Sequence, residues 1–171
     1  MAMPLFQVRD ALPSERDAIR ALTFAAYGQY ATAMPAGAWE PLRQALAAAL
    51  DAGGPAERIV AEQDGELLGS VLLFPPAGDT ADRSGGRMRW PELRLLAVAP
   101  SARGRGIGGA LVDACLLRAQ QSGAAALGLY TSDSMRVAMR LYEQKGFRRA
   151  PEYDFQPSGA ELVKAYYRPY A

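Results

Sequence analysis

The spacing of apolar positions changes several times along the chain, and each change marks an element. Residues 5–9 alternate, as a short strand does. Ile19, Leu22, Thr23 and Ala26 recur at three and four. This predicts a helix that follows Pro13, with Ser14 as N-cap, and runs toward Tyr30 until Pro35 and Gly37 break it. Leu42, Ala45, Leu46, Ala49 and Leu50 repeat the pattern over residues 39–50, stopped by Asp51-Ala52-Gly53-Gly54-Pro55. Residues 58–62 and 66–74 read as a hairpin around Asp64-Gly65. Residues 75–87, rich in Gly, Pro and charge, read as a mobile loop. Residues 92–98 are apolar almost throughout, as a strand buried on both faces should be. A helix with Ile107, Ala110, Leu111, Ala114 and Cys115 on one side follows and ends at Gly123.

Residues 125–130 predict the next strand, so strand, helix and strand imply a right-handed parallel crossover. Ser132-Asp133-Ser134 is a cap cluster for a helix carrying Met135, Ala138, Met139, Leu141 and Tyr142, closed by Gly146. Residues 147–153 and 161–168, linked by Gln156-Pro157-Ser158-Gly159, predict a final antiparallel pair. No repeat and no second domain are visible. The expectation is one α/β domain over residues 1–171, with a mixed sheet and helices between its strands.

Composition narrows the chemistry. A formal net charge of +1 in 171 residues argues against a generic nucleic-acid or membrane partner. No apolar run approaches the ~20 residues needed to span a bilayer, and the N-terminus lacks a secretory pattern. The single cysteine, Cys115, forms no internal disulfide and offers no thiol cage for a metal. A cytoplasmic protein without a metal site is the economical reading. There is no histidine, which removes Ser-His-Asp and Cys-His catalysis. Acid–base work falls to carboxylates, Tyr, Lys, Cys or water.

The most informative stretch is Arg103-Gly104-Arg105-Gly106-Ile107-Gly108-Gly109, between the apolar strand and a helix. Glycines let backbone N–H groups face a ligand. The first turn of a helix favours an anion, and Arg103 and Arg105 add charge. Gly104-x-Gly106-x-x-Gly109 matches the dinucleotide fingerprint literally. However, Pro100, Ser101 and Ala102 separate it from its strand, and position 124 is alanine where an acidic residue belongs. A nucleotide-triphosphate loop fails because Ala110-Leu111 stand where Lys and Ser/Thr are required.

Two ordered motifs carry a resemblance. One is Leu95-Leu96-Ala97-Val98-x-Pro100-x-x-Arg103-Gly104-Arg105-Gly106-Ile107-Gly108. The other is Ser134-x-x-x-Ala138-x-x-Leu141-Tyr142-Glu143-x-x-Gly146-Phe147. Together they resemble the GNAT superfamily of N-acetyltransferases. The resemblance implies a mixed, mostly antiparallel sheet with a central, splayed parallel strand pair, flanked by helices, and acyl-CoA lying in the splay. It implies that backbone groups of Leu96, Ala97 and Val98 bond the pantetheine arm. The N–H groups from Arg103 through Gly104, Arg105, Gly106, Ile107 and Gly108 to Gly109 would hold the pyrophosphate. Ser134 stands where many members have an Asn on the cofactor, and Ala138 faces the same side. Tyr142 matches the general-acid position, and Glu92 the place where several members carry a base carboxylate. The implied function is direct acetyl transfer from acetyl-CoA to a primary amine of an unidentified acceptor. The alternatives are a non-catalytic acyl-CoA-binding sensor and, further off, a dinucleotide-binding oxidoreductase with a different strand order. Dimers are common among similar proteins, so a homodimer is also an expectation. The acceptor side would be set by the first two helices, the 75–87 loop and the 151–160 turn, with Phe24, Tyr27, Tyr30 and Trp39 as candidate lining.

Overall fold

The computed structural model describes residues 5–52, 54–77, 88–158 and 160–171. Seven strands and four α-helices follow one another as β1 (Gln7–Asp10), α1 (Arg16–Tyr27), α2 (Trp39–Asp51), β2 (Glu57–Gln63), β3 (Glu66–Phe74), β4 (Glu92–Val98), α3 (Ile107–Gln121), β5 (Ala126–Thr131), α4 (Arg136–Gln144), β6 (Arg148–Arg149) and β7 (Lys164–Pro169). They form one sheet in the order β1-β2-β3-β4-β5-β7-β6. Every pairing is antiparallel except β4 with β5. The crossover through α3 makes that pair parallel, as the strand–helix–strand pattern required. A dinucleotide-binding fold needs a mostly parallel sheet, so this strand order excludes the oxidoreductase reading.

The β2–β3 hairpin turns through Asp64 (φ 51°) and Gly65 (φ 85°), the positive-φ pair that a tight two-residue turn needs. Alternation then sorts side chains to the two faces of the sheet. Ile59, Val71, Leu73, Leu127 and Leu129 pack with Leu111, Val112 and Cys115 of α3. Val60 packs on the opposite face with Ile19 of α1. Cys115 is fully buried, and its thiol is pushed up to about 12 by that burial, so it is a core residue rather than a nucleophile.

β4 breaks the alternation. Its register against β3 runs Leu72↔Arg94 and then Ser70↔Ala97, an irregularity that leaves an extra residue on β4. Leu95 takes φ 54°, uncommon for a residue with a Cβ. The bulge changes which face the side chains reach. Leu93 joins the α3 side, whereas Leu95 and Ala97 join the α1 side. It also ends the pairing with β5, which is confined to Glu92↔Gly128 and Leu93↔Leu129. Beyond Leu93 the two strands part.

Three local expectations are corrected. Ser14 lies inside a 3₁₀ turn (Pro13–Glu15) and caps nothing, and α1 starts after Glu15. There Glu15 Oε2 accepts the Leu12 N–H at 2.8 Å, while Arg9 holds both carboxylate oxygens. The expected strand over 147–153 is only Arg148–Arg149, because Pro151 opens a 3₁₀ turn and Arg149 forks onto Asp154. Ser134 does not cap α4, whose N-cap is Met135. The expected loop at 75–87 lies outside the described residues from 78 onward. Among the described residues no helix is long and apolar enough to cross a membrane.

Candidate active site

Where β4 and β5 part, two cavities meet end to end, and the bulge divides them. Leu93, Arg94 and Leu95 line one; Leu96, Ala97 and Val98 line the other. Tyr27, at the end of α1, lines both.

The second cavity is a cleft of about 530 Å³. Its floor is the glycine loop. Gly104 (φ 78°) and Gly106 (φ 80°) turn the chain through the left-handed region, and Gly106 is the N-cap of α3. The first bond within the helix runs from the Ala110 N–H to the Gly106 carbonyl. The N–H groups of Ile107, Gly108 and Gly109 therefore precede the ladder, and all three residues line the cleft. A Cβ at Gly108 would stand 3.2 Å from Leu141 Cδ2 and 3.6 Å from Val98 Cγ2, so glycine keeps this floor bare. On the β4 side, the Ala99 N–H donates to the Leu68 carbonyl at 2.8 Å. Main-chain groups alternate along a strand, so the Val98 N–H points away from β3 and into the split. Such a cleft suits a phosphate-bearing group attached to a strand-like arm.

Ten of the residues expected at the cofactor line this cleft: Leu96, Ala97, Val98, Arg103, Gly104, Gly106, Ile107, Gly108, Gly109 and Ala138. Three do not. Arg105 donates instead to Gln63 Oε1 at 2.7 Å. Ser134 faces away from the cleft and donates to Glu161 Oε2 at 2.8 Å. Tyr142 is buried behind the wall beside Leu141, edge-on to Phe147 with centroids 5.9 Å apart. Burial, with Tyr27 and Tyr30 nearby, pushes its hydroxyl well above its ordinary value and keeps it protonated. Arg140 and Gln144 line the cleft without having been expected there. Their signal was available, because 137, 140, 141 and 144 form one helix face. Lys145 pairs with Asp113 at 2.9 Å.

The first cavity, of about 380 Å³, has mostly apolar walls drawn from α2, β4, β5 and the stretch from Phe155 to Val163. Of the aromatics considered for an acceptor site, only Tyr27 lines it. Glu92 stands at the start of β4 as expected, but its side chain is only 4 % exposed and already engaged. Its Oε1 accepts the Met88 N–H at 2.7 Å, and its Oε2 accepts from Arg94 Nε at 2.8 Å. Arg94, whose guanidinium also lies over the Phe74 ring at 4.5 Å, reaches the cavity wall; Glu92 does not. Tyr130, Thr131, Ser132 and Glu161 line the same cavity and were not read from sequence.

Comparison with known proteins agrees with this geometry. Residues 19–147 match the acetyltransferase (GNAT) family. A mycothiol acetyltransferase of Sanguibacter keddieii is 39% identical over 92 residues, 54% of this chain and 28% of that protein. The uncharacterized N-acetyltransferase YhfO of Bacillus subtilis is 37% identical over 89 residues, 52% of this chain and 56% of that protein. The matches thus span little more than half of YhfO and under a third of the mycothiol enzyme. Among solved structures, a GCN5-related N-acetyltransferase of Kribbella flavida superposes with a TM-score of 0.65 at 27% identity, covering 96% of this chain and 98% of that one. A GNAT family acetyltransferase of Brucella melitensis, solved in complex with acetyl-CoA, superposes with a TM-score of 0.60 at 23% identity, covering 99% and 90%. The split sheet, the glycine-floored cleft and the family match over most of the chain agree: this protein belongs to the GNAT family of acetyltransferases.

Proposed function

We propose that the protein transfers an acetyl group from acetyl-CoA directly to a primary amine. The observation that carries this reading is the meeting of two unlike cavities at the Leu95 bulge, one lined with free main-chain N–H groups and one apolar with polar side chains. The bound cosubstrate supplies a thioester, and the chain's own groups do the rest. The N–H groups from Ile107 to Gly109, with Arg103, hold the pyrophosphate. The backbone of Leu96 to Val98 holds the arm. The Val98 N–H, directed into the split, stabilises negative charge developing on the acyl oxygen.

In the transfer a C–N bond forms and the thioester C–S bond breaks. The acceptor enters as an ammonium ion and gives up two protons. One passes to a base before attack, because an amine with a pKa near about 10 is mostly protonated at neutral pH. The other balances the proton that Tyr142 delivers to the leaving sulfur. Its place in the Leu141-Tyr142-Glu143 motif supports Tyr142 as that donor; burial keeps the hydroxyl protonated but also makes it a weaker acid. Glu92 is the proposed base. Its carboxylate is paired with Arg94 and does not line the cavity, so Glu92 acts through water rather than by direct contact.

Calorimetric titration with acetyl-CoA, CoA and NAD, followed by thiol release with an amine panel, tests the proposal. Micromolar or tighter binding of acetyl-CoA, no binding of NAD and amine-dependent release of CoA are expected. Acetyl-CoA binding without release for any amine would make the protein a non-catalytic sensor.

A further inference from the structure

Among the described residues, four side-chain polar atoms are buried without a hydrogen-bond partner: Tyr130 Oη, Thr131 Oγ1, Ser132 Oγ and Glu161 Oε1. They come from two segments some thirty residues apart, yet all four residues line the 380 Å³ cavity. Buried polar groups are nearly always paired, because leaving one unpaired carries its full desolvation cost. The orphan atoms themselves are closed to solvent, so a ligand in the cavity supplies partners to those whose side chains turn toward it.

The charge pattern says which ligand. Glu161 receives the Ser134 hydroxyl on Oε2 and nothing on Oε1. Among the described residues no Lys or Arg nitrogen lies within 4 Å of it. The cation on the same wall, Arg94, is already paired with Glu92 at 2.7 Å. The cavity therefore presents one uncompensated negative charge and no free positive one. The remaining lining is apolar, including Met34, Leu42, Leu46, Phe155 and Val163. An ammonium head has three donors and no acceptor, which matches a carboxylate oxygen and hydroxyls. A second polar group on the body would lose its water against apolar walls, and a carboxylate would meet Glu161 with like charge. The volume is near the lower end of ligand pockets, about 300–1,000 Å³.

We infer that the acceptor is a small primary amine on an apolar body, without a carboxylate, whose ammonium group binds the Glu161 carboxylate. Ser134 is a positioning residue that orients the Glu161 carboxylate. This deepens the acetyltransferase reading and rests on it for the chemistry. The transfer keeps the balance already given: the C–N bond forms, the C–S bond breaks, and the amine gives up two protons.

The test is a thiol-release assay with 2-phenylethylamine and hexylamine against phenylalanine and glucosamine, with calorimetric binding of acetyl-CoA and of 2-phenylethylamine measured separately. The apolar amines should exceed phenylalanine and glucosamine in kcat/KM by about 30-fold or more, the scale of losing buried charge-assisted hydrogen bonds. Glu161→Gln should raise the KM for 2-phenylethylamine by about 10- to 100-fold and leave acetyl-CoA affinity within about twofold, which also shows that the variant folds. Ser134→Ala should raise KM by about threefold with kcat little changed, and Glu161→Asp should recover part of the loss. Equal or better turnover of phenylalanine or glucosamine overturns the inference, as does an unchanged KM in Glu161→Gln. Loss of acetyl-CoA binding in the wild type would instead overturn the acetyltransferase reading. In that event, 2-phenylethylamine binding that weakens in Glu161→Gln still supports the cavity assignment, and absence of such binding removes it.

Discussion

The two cavities on either side of the bulge are built on different plans. The cleft lined by Leu96 takes its floor from one short loop, six of the seven residues from Arg103 to Gly109, and its recognition groups are main-chain N–H groups. Every residue except proline owns such a group, so the sequence needs only to expose them, which Gly104, Gly106 and Gly108 do. The cavity before Leu95 is assembled from α1, α2, β4, β5 and the segment before β7, and its recognition groups are side-chain atoms that own no partner. A cleft of the first kind binds a group shared by a whole family. One of the second kind selects a particular partner.

The largest effect is expected at Tyr142, buried behind the cleft wall. Tyr142→Phe keeps the ring against Phe147 and removes the hydroxyl, so kcat should fall by about 10²–10⁴-fold, the range for losing a general acid. Acetyl-CoA affinity, measured by calorimetry, should stay nearly constant. Turnover within twofold of wild type would move the acid role to Tyr27, the residue that lines both cavities.

Next come two changes that should separate the sides. Gly106→Val forces a β-branched residue to φ 80°, at a cost of about 1–3 kcal/mol. Acetyl-CoA affinity should drop about tenfold or more, while the KM for the amine should hold. Glu92→Gln leaves Arg94 without its partner in a nearly buried pair, which should cost about 2–4 kcal/mol of stability in denaturant unfolding. If Glu92 also removes the acceptor's proton through water, turnover at neutral pH should fall by about 10²-fold or more and recover in part as the pH is raised. A normal pH–rate profile with only the stability loss would make Glu92 structural and leave Glu161, on the cavity wall, as the group nearest the amine.

The same difference decides what the sequence revealed. The hairpin at Asp64-Gly65, the doubly buried β4 and the glycine loop were legible because each is a local pattern with a local cause. The bulge was not. Leu95 has no glycine or proline to announce its positive φ, which is imposed by pairing with β3 and by the parting from β5. Ser134 matches the motif position for a cofactor contact, but Glu161, 27 residues later, claims its hydroxyl. Pro151 shortened a strand that apolar spacing alone extended to Tyr153. Glu161 was read as the first residue of the last strand, which begins only at Lys164, and only the tertiary fold brings it to the cavity shared with residues 130–132.

Arg103 and Arg105 give the finest test of the contrast, because the sequence offered them as equals beside the phosphate site. The fold separates them. Arg103 lines the cleft, with a long contact of 3.4 Å from its guanidinium to the Ala26 carbonyl. Arg105 turns outward to Gln63 and is absent from the cleft wall. If direct contact governs binding, Arg103→Gln should weaken acetyl-CoA by about three- to tenfold, the worth of one exposed charge-assisted contact, and Arg105→Gln by less than about twofold. Repeating both titrations at high salt sharpens the reading. Screening acts over about 10 Å at 0.1 M ionic strength, so a contribution that comes only from the field of the loop should fade for both variants alike. Equal losses at low salt that vanish together at high salt would mean that the cleft reads the charge of the loop rather than one arginine. The sequence's pairing of the two residues would then be the better description, and the glycine floor alone would carry the specificity of contact.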